Sequence, residues 1–464
     1  MSTSKGSISR RQALERVAAA AALGSAFKFA DRPANAQPPQ SAGVNRNSAP
    51  SQLRITDMRA IRIASNFDYP IIRIDTNQGV YGLGEVRDAG NEGMALILKP
   101  HIVGKNPLNI APILDSVRNF TNQRRFGGGY SALDVALHDI SGKVYGVPAY
   151  RLLGSKYRDR VRIYCDTTQT KDPKLFASRL VARKKAGFTF FKMDLGTNMV
   201  ADQPGAVNTR GVATEKGLKL LCEYLAAVRD GIGYDVPLAA DHFGALNVND
   251  AIRYARAFEP FELAWMEDAL QVGTLGAGDA PRNWRAYKEI KDSTTTVINM
   301  GESLFGLEEG FRPFIENLAV DMIHPDPLTS GALIETKRIA DFASMYAIPT
   351  AVHFAGSPVG CMASVHMIAT IKDFVAMENH AVDIPWWGDL VNGPAKPIIQ
   401  NGYIPVPETP GLGVELNEAV CKEHLRIPGW FEPTPQFDKY IVDEYRIGGP
   451  YPHLDDEGKP VISR

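Results

Sequence analysis

The sequence predicts an α/β fold: a (β/α)8 TIM-type barrel preceded by an N-terminal α+β capping domain. Two observations carry the barrel. From Arg160 onward short apolar runs alternate with helical stretches eight times, as VRIYCD, FTFFKMD, VPLAADHFG, FELAWMED, TTTVINMGES, LAVDMIHPD, AIPTAVHF and DFVAMEN. Such alternation is the pattern of parallel strands joined by crossover helices. The polar residues that end the later runs, at 241, 267, 302, 326, 353 and 378, recur every 24 to 35 residues. That interval holds one strand, one helix and two loops, so about eight units fill roughly 250 residues. A third observation disfavours an open nucleotide-binding sheet, because none of the runs is followed by Gly-x-Gly-x-x-Gly.

In chain order, residues 1–36 stand apart. SRRQALERVAAAAALGSAFKFADRPANAQ combines Arg10 and Arg11, a short Ala-rich run and the small-x-small signature Ala34-Asn35-Ala36. It reads as a twin-arginine export signal, which predicts a periplasmic protein, or a cytoplasmic one if the signal does not function. The run is too short to serve as a membrane anchor. Residues 37–52 are Pro/Ser/Asn-rich and read as a flexible linker. The capping domain is expected over 53–158. It starts with two β-rich runs, ITDMRAIRIA and YPIIRIDTNQGVYGLGE, and continues with helical segments. The clearest of these is YSALDVALHDISGKVYG, with Leu133, Ala136, Leu137, Ile140 and Val144 at helical spacing. The barrel follows over 159–415, and 416–464 form a C-terminal extension expected to pack back on the capping domain.

The chain's 464 residues suit two packed domains. Lys and Arg total 51 against 52 Asp and Glu, so the charge footprint of a nucleic-acid binder is absent. Cys165, Cys222, Cys361 and Cys421 are scattered, without Cys-x-x-Cys, and read as buried free thiols.

In such a barrel chemistry sits where the carboxyl ends of the strands converge. Three successive strands end in carboxylates: Asp241 in AADHFG, Glu267 in AWMEDA and Glu302 in NMGES. Together in a semi-buried site they would repel unless a cation neutralised them. An all-oxygen set favours one Mg²⁺ per subunit. Asp268, the neighbour of Glu267, is expected to point the other way. The next two strands end in Asp326 and His353, where a carboxylate can orient the imidazole and raise its basicity, giving a general base. In FFKMDLG, Lys192 and Asp194 lie two apart and share one side of an extended strand. Lys192 is expected to act as an electrostatic clamp or acid/base, and Asp194 to hold that ammonium or meet a substrate hydroxyl.

With these residues the chain resembles the enolase superfamily, in its mandelate racemase and acid-sugar dehydratase branch, from Ile55 to Val414. The capping stretches GVYGLGE and SALDVALHDISGKVYGVPAYRLLG, the carboxylate series, the Asp326/His353 dyad, Glu378 in AMEN and the closing VPETPGLGVEL carry the likeness. The resemblance implies that a base removes the proton alpha to a carboxylate while Mg²⁺ and Lys192 neutralise the developing charge. It also implies that Glu378 binds a substrate carboxylate oxygen as a protonated acid, which needs a raised pKa. A small-molecule sugar acid as substrate and a homo-oligomer are further implications.

One departure narrows the activity. Relatives of mandelate racemase often carry Lys-x-Lys at the second strand, whereas here the second position is Asp194. Two-base racemisation thus loses its obvious second base, and loss of a β-hydroxyl, a hydro-lyase reaction, is favoured. An epimerase, racemase or cycloisomerase on the same site, and a non-catalytic sugar-acid binding protein, remain as alternatives. His242 directly follows a carboxylate, and strict alternation turns it away from the mouth, although it is a candidate for substrate contact. Two long loops are expected to shape the pocket, 197–217 and QVGTLGAGDAPRNW, the latter carrying Arg282 and Trp284. The capping segment SNFDYP reads as a short hairpin leaving room for a polyhydroxylated substrate.

Overall fold

The computed structural model describes residues 50–120, 128–270 and 283–439. The export-signal segment, most of the linker, Arg282 and the end of the C-terminal extension lie outside the described residues.

Three antiparallel strands open the capping domain: β1 (Ile55–Ile63), β2 (Tyr69–Thr76) and β3 (Tyr81–Glu85), in the order β1-β2-β3. The second β-rich run is thus two strands. Gly79, at φ +78°, turns the chain between them, a backbone region open to glycine without steric cost. The helix Gly128–Tyr145 lies on β3 with Leu133, Ala136, Leu137 and Ile140 fully buried. Gly82 and Gly84 allow this approach, since a Cβ there would stand 2.1 Å from the Ala136 carbonyl and 2.0 Å from that of Ala132. The glycines of GVYGLGE are therefore the floor on which this helix rests.

The eight apolar runs form the barrel strands β4 (Arg160–Asp166), β5 (Phe191–Asp194), β6 (Leu238–Asp241), β7 (Met266–Glu267), β8 (Ile298–Met300), β9 (Met322–Ile323), β10 (Thr350–Val352) and β11 (Phe374–Asn379). Neighbours pair in parallel in chain order, and β11 returns to β4 to close the ring. The pairs β12 (Val391–Asn392) with β14 (Glu415–Leu416), and β13 (Tyr403–Pro405) with β4, add short antiparallel pieces. Inside the ring, Tyr164, Phe190, Trp265 and Met322 pack with Ala239, Ala351 and Ala376. Large and small side chains interleave there, so the barrel is solid below its mouth.

Buried carboxylates of the capping domain hold backbone amides of both domains. Glu85 accepts from Ser357 N at 2.7 Å, Ser357 Oγ at 2.6 Å and Gly360 N at 2.8 Å, satisfying the orphan amides at the start of the helix Pro358–Ala369. Asp134 accepts from Leu333 N at 2.8 Å, and Asp139 from Leu83 N at 3.0 Å and Leu412 N at 2.9 Å. Residues after β14 lie against the capping domain: Ala64 N donates to the His424 carbonyl at 2.7 Å, and Lys99 Nζ is 2.5 Å from Asp438 Oδ1. All four cysteines are free thiols. No helix among the described residues is long and apolar enough to cross a membrane.

Candidate active site

The barrel register delivers the polar strand ends to one place. β5 and β6 pair Asp194 with Asp241, β7 and β8 pair Glu267 with Asn299, and β11 and β4 pair Glu378 with Tyr164. A cavity of about 340 Å³ opens above them, its wall including Lys192, Asp241, Glu302 and His353 from the barrel and Phe67 and Asp88 from the capping domain.

Lys192 is the hub. Its Nζ lies 3.2 Å from Asp241 Oδ2, 3.0 Å from Glu267 Oε1 and 2.7 Å from Glu378 Oε1. Burial works against the ammonium, but Glu267, Glu378 and Asp241 outweigh it and hold its pKa well above the ordinary lysine value. Glu267 is fixed from its other side by Trp265 Nε1 at 2.7 Å.

On the strands opposite, His353 Nδ1 lies 2.7 Å from Asp326 Oδ2, and its Nε2 is 3.1 Å from Glu302 Oε2. Burial disfavours the charged ring, yet Glu302, Glu378 and the Asp326 hydrogen bond together raise its pKa.

The trio of Asp241, Glu267 and Glu302 is drawn together less tightly than expected. Among the described residues, acid and imidazole groups whose ligand atoms lie within 4.8 Å of one another are Asp88–Asp326–His353, His353–Glu378–His380 and Glu267–His324–Glu378. The reason is local: the Lys192 ammonium stands between Asp241 and Glu267, and Glu302 turns to His353 and to Arg87 Nη2 at 3.3 Å. The three carboxylates still fit a hard divalent cation. Asp241 and Glu267 end consecutive strands and Glu302 follows two residues beyond the end of the next, and burial together with Glu267 and Glu302 pushes the Asp241 carboxyl up to about 7, the signature of acids crowded beyond what the local positive charge relieves. Acidic groups that could bind a metal are thus present at the mouth.

Several expectations are corrected. His242 does not turn away: at φ 58° its backbone leaves the extended region and the ring lines the cavity. Asp268, at φ 41°, reaches the same cavity for the same reason. Asp194 pairs with His242 Nδ1 at 2.7 Å, and that contact, followed by Asp241, raises the histidine's pKa to about 10. Three other carboxylates hold Lys192. Glu378, wholly buried behind Lys192, is not a raised-pKa acid. Burial favours its neutral form, but Lys192, His380 and His353 keep it well below the usual carboxylate range. The loop 197–217 also differs from expectation, since none of its residues lines the cavity, and residues 271–282 of the second long loop lie outside the described residues. Trp284 starts the helix Trp284–Asp292 and packs on the outer core with Arg285 over its ring.

Sequence reasoning passed over His380, His324, Arg87 and Asp88. His380 Nε2 is 3.1 Å from Glu378 Oε1 and its Nδ1 3.2 Å from Asp166 Oδ2. The Phe67 ring meets His380 edge-on at 5.5 Å, joining the capping hairpin to the barrel rim. His324 lies beneath the site, 2.7 Å from Tyr164 Oη and 3.3 Å from Glu267 Oε1, and burial pushes its pKa down to about 3. Both histidines sit two residues from a residue already singled out, Glu378 and Asp326, so strand alternation was the available signal. Arg87 and Asp88 gave none, because they enter the barrel mouth from another domain.

Known proteins place this architecture. Residues 42–154 match the mandelate racemase / muconate lactonizing enzyme N-terminal domain, and residues 176–420 match the enolase C-terminal domain-like family. The chain is 34% identical over 381 residues to a D-xylonate dehydratase of Haloferax volcanii, covering 80% of this chain and 89% of that protein. A mandelate racemase/muconate lactonizing enzyme-like protein from Rubrobacter xylanophilus superposes with a TM-score of 0.72 at 31% identity, over 82% of this chain and 99% of that one. An enolase from Pantoea ananatis solved with bound D-gluconate and Mg superposes with a TM-score of 0.68 at 26% identity, over 80% of this chain and 94% of that one. The chain therefore belongs to the mandelate racemase / muconate lactonizing enzyme family of the enolase superfamily.

Proposed function

We propose that this protein is a Mg²⁺-dependent hydro-lyase that removes the proton alpha to a sugar-acid carboxylate and expels the β-hydroxyl, giving a 2-keto-3-deoxy acid and water. The observation that carries the reading is the His353–Asp326 pair set across one cavity from Lys192, with carboxylates between them.

Asp326 holds His353 at Nδ1, so Nε2, beside Glu302, is the nitrogen that accepts the C2 proton when the ring is neutral. The Lys192 ammonium, buried and fixed by three carboxylates, opposes the negative charge that develops as the C–H bond breaks. A bound Mg²⁺, held by Asp241, Glu267 and Glu302, would supply further electrophilic stabilisation of that charge. Glu378, kept ionised behind Lys192, sets the ammonium's position. Protonated His353 then returns its proton to the departing hydroxyl, which leaves as water. Relatives support an acid sugar as substrate, a D-xylonate dehydratase and an enolase with bound D-gluconate among them, so five- and six-carbon aldonic acids are the class to test. Incubation of the full chain with Mg²⁺ and a panel of these acids should yield a 2-keto-3-deoxy product from at least one; binding without turnover across the panel would instead support a receptor.

A second reading has its own support. His242 and its partner Asp194 belong to the ends of β5 and β6, across the ring from His353. A base on that wall would allow epimerisation by return of a proton to C2.

The twin-arginine pattern at Arg10 and Arg11 supports export to the periplasm, and comparison of periplasmic and cytosolic fractions tests it.

A further inference from the structure

Arg87 follows β3 in the capping domain, yet its side chain is 1% exposed and ends at the barrel mouth. Nε donates to Asp88 Oδ1 at 2.6 Å and stands 3.7 Å from Asp326 Oδ2. Nη1 donates to Thr329 Oγ1 at 2.9 Å and to the backbone carbonyl of Glu302, and Nη2 lies 3.3 Å from Glu302 Oε1. The two barrel carboxylates it reaches are the two that flank the candidate base: Glu302 Oε2 faces His353 Nε2, and Asp326 Oδ2 faces His353 Nδ1. One guanidinium from the capping domain thus closes a ring of contacts around His353.

We propose that Arg87 is a positioning residue that fixes Glu302 for cation binding and Asp326 for orienting His353, so that the capping domain completes the catalytic machinery of the barrel. The inference rests on the reading of Glu302 as a cation ligand.

The chemistry of the group suits this task. A guanidinium presents several donors in a rigid plane and can hold two carboxylates, a hydroxyl and a carbonyl at once, which a single ammonium cannot do with the same directions. Because Nη1 also grips the Glu302 carbonyl, the backbone beyond β8 is held along with the side chain. Residues that orient ligands in this way change metal affinity when lost, typically by roughly 10- to 100-fold. A guanidinium that only tied two domains together would change unfolding without changing cation affinity.

The test is titration of the metal-depleted full chain with Mn²⁺, read by the loss of the free-ion electron paramagnetic resonance signal, with thermal unfolding recorded beside it. Arg87→Met is expected to bind Mn²⁺ roughly 10- to 100-fold more weakly, and Arg87→Lys to recover only part of the loss. A folded Arg87→Met with wild-type affinity would overturn the proposal. Should Arg87→Met not fold, Thr329→Val decides by removing one anchor of the guanidinium: a several-fold loss supports the role, and unchanged affinity overturns it. Glu302→Gln separates the premise from the inference. Unchanged affinity in that variant overturns the ligand reading and the proposal with it, whereas loss there without loss in Arg87→Met overturns the proposal alone.

Discussion

His353 Nδ1 lies 2.7 Å from Asp326 Oδ2, and this contact leaves Nε2 as the nitrogen that faces the cavity. His353→Asn keeps a comparable polar volume but removes the base. It should lower exchange of the substrate C2 proton by about 10³-fold, within the range for loss of a general base, with thermal unfolding close to wild type. An active variant would remove His353 from the mechanism.

Lys192 and Glu378 form a buried pair at 2.7 Å. Breaking such a pair by deleting one partner leaves an uncompensated charge and costs about 3–5 kcal/mol. In chelator-treated buffer, Lys192→Met should therefore lower urea stability by an amount of that order, and adding Glu378→Gln should restore a large part of it. A single variant as stable as wild type would mean that the pair is not the electrostatic hub described.

Glu85 takes two amide donors and one hydroxyl at the start of the helix Pro358–Ala369. Glu85→Ala strands them in a buried site, where each unsatisfied group costs about 1–3 kcal/mol. The expected result is a clear fall in unfolding temperature, with amide exchange rising first at Ser357 and Gly360. No change at those amides would contradict the clamp.

His366 is buried against the Leu412 carbonyl at 3.1 Å, and burial pushes its pKa down to about 4. The unfolded chain takes up a proton near the ordinary histidine value of about 6.5, while the folded chain does so only near 4. This site's contribution to stability is therefore fully present above about 6.5 and falls as the pH drops toward 4. His366→Gln should cost more stability at pH 7.5 than at pH 5, as read by urea unfolding; an equal cost at both would show that His366 titrates normally in the fold.

The barrel was legible because its eight strands keep an apolar run followed by a polar end, and the register carries those ends to one mouth. Gly82 and Gly84 were legible as a motif but not as a reason, since only the packed helix shows that a Cβ would meet the carbonyls of Ala132 and Ala136. Strand alternation stopped serving beyond the last paired residue. At His242 and Asp268 a left-handed backbone rotates the side chain back into the cavity, and no side-chain period records that turn. The protonation of Glu378 depends on Lys192 and His353, which reach it from other strands, together with His380 just past the end of its own strand, and no local pattern records that convergence. Arg87 escaped because its barrel partners Glu302 and Thr329 are more than 200 residues away in the chain and its local stretch has no pattern of its own.

The central claim is removal of the C2 proton followed by loss of the C3 hydroxyl, and product analysis in D₂O tests it most directly. With Mg²⁺ and a turned-over aldonic acid, the account predicts a 2-keto-3-deoxy acid carrying deuterium at C3, where the enol takes up solvent hydrogen as it becomes the ketone. Deuterium at C2 of an otherwise intact sugar acid, with no loss of water, would contradict it and establish the epimerase in its place.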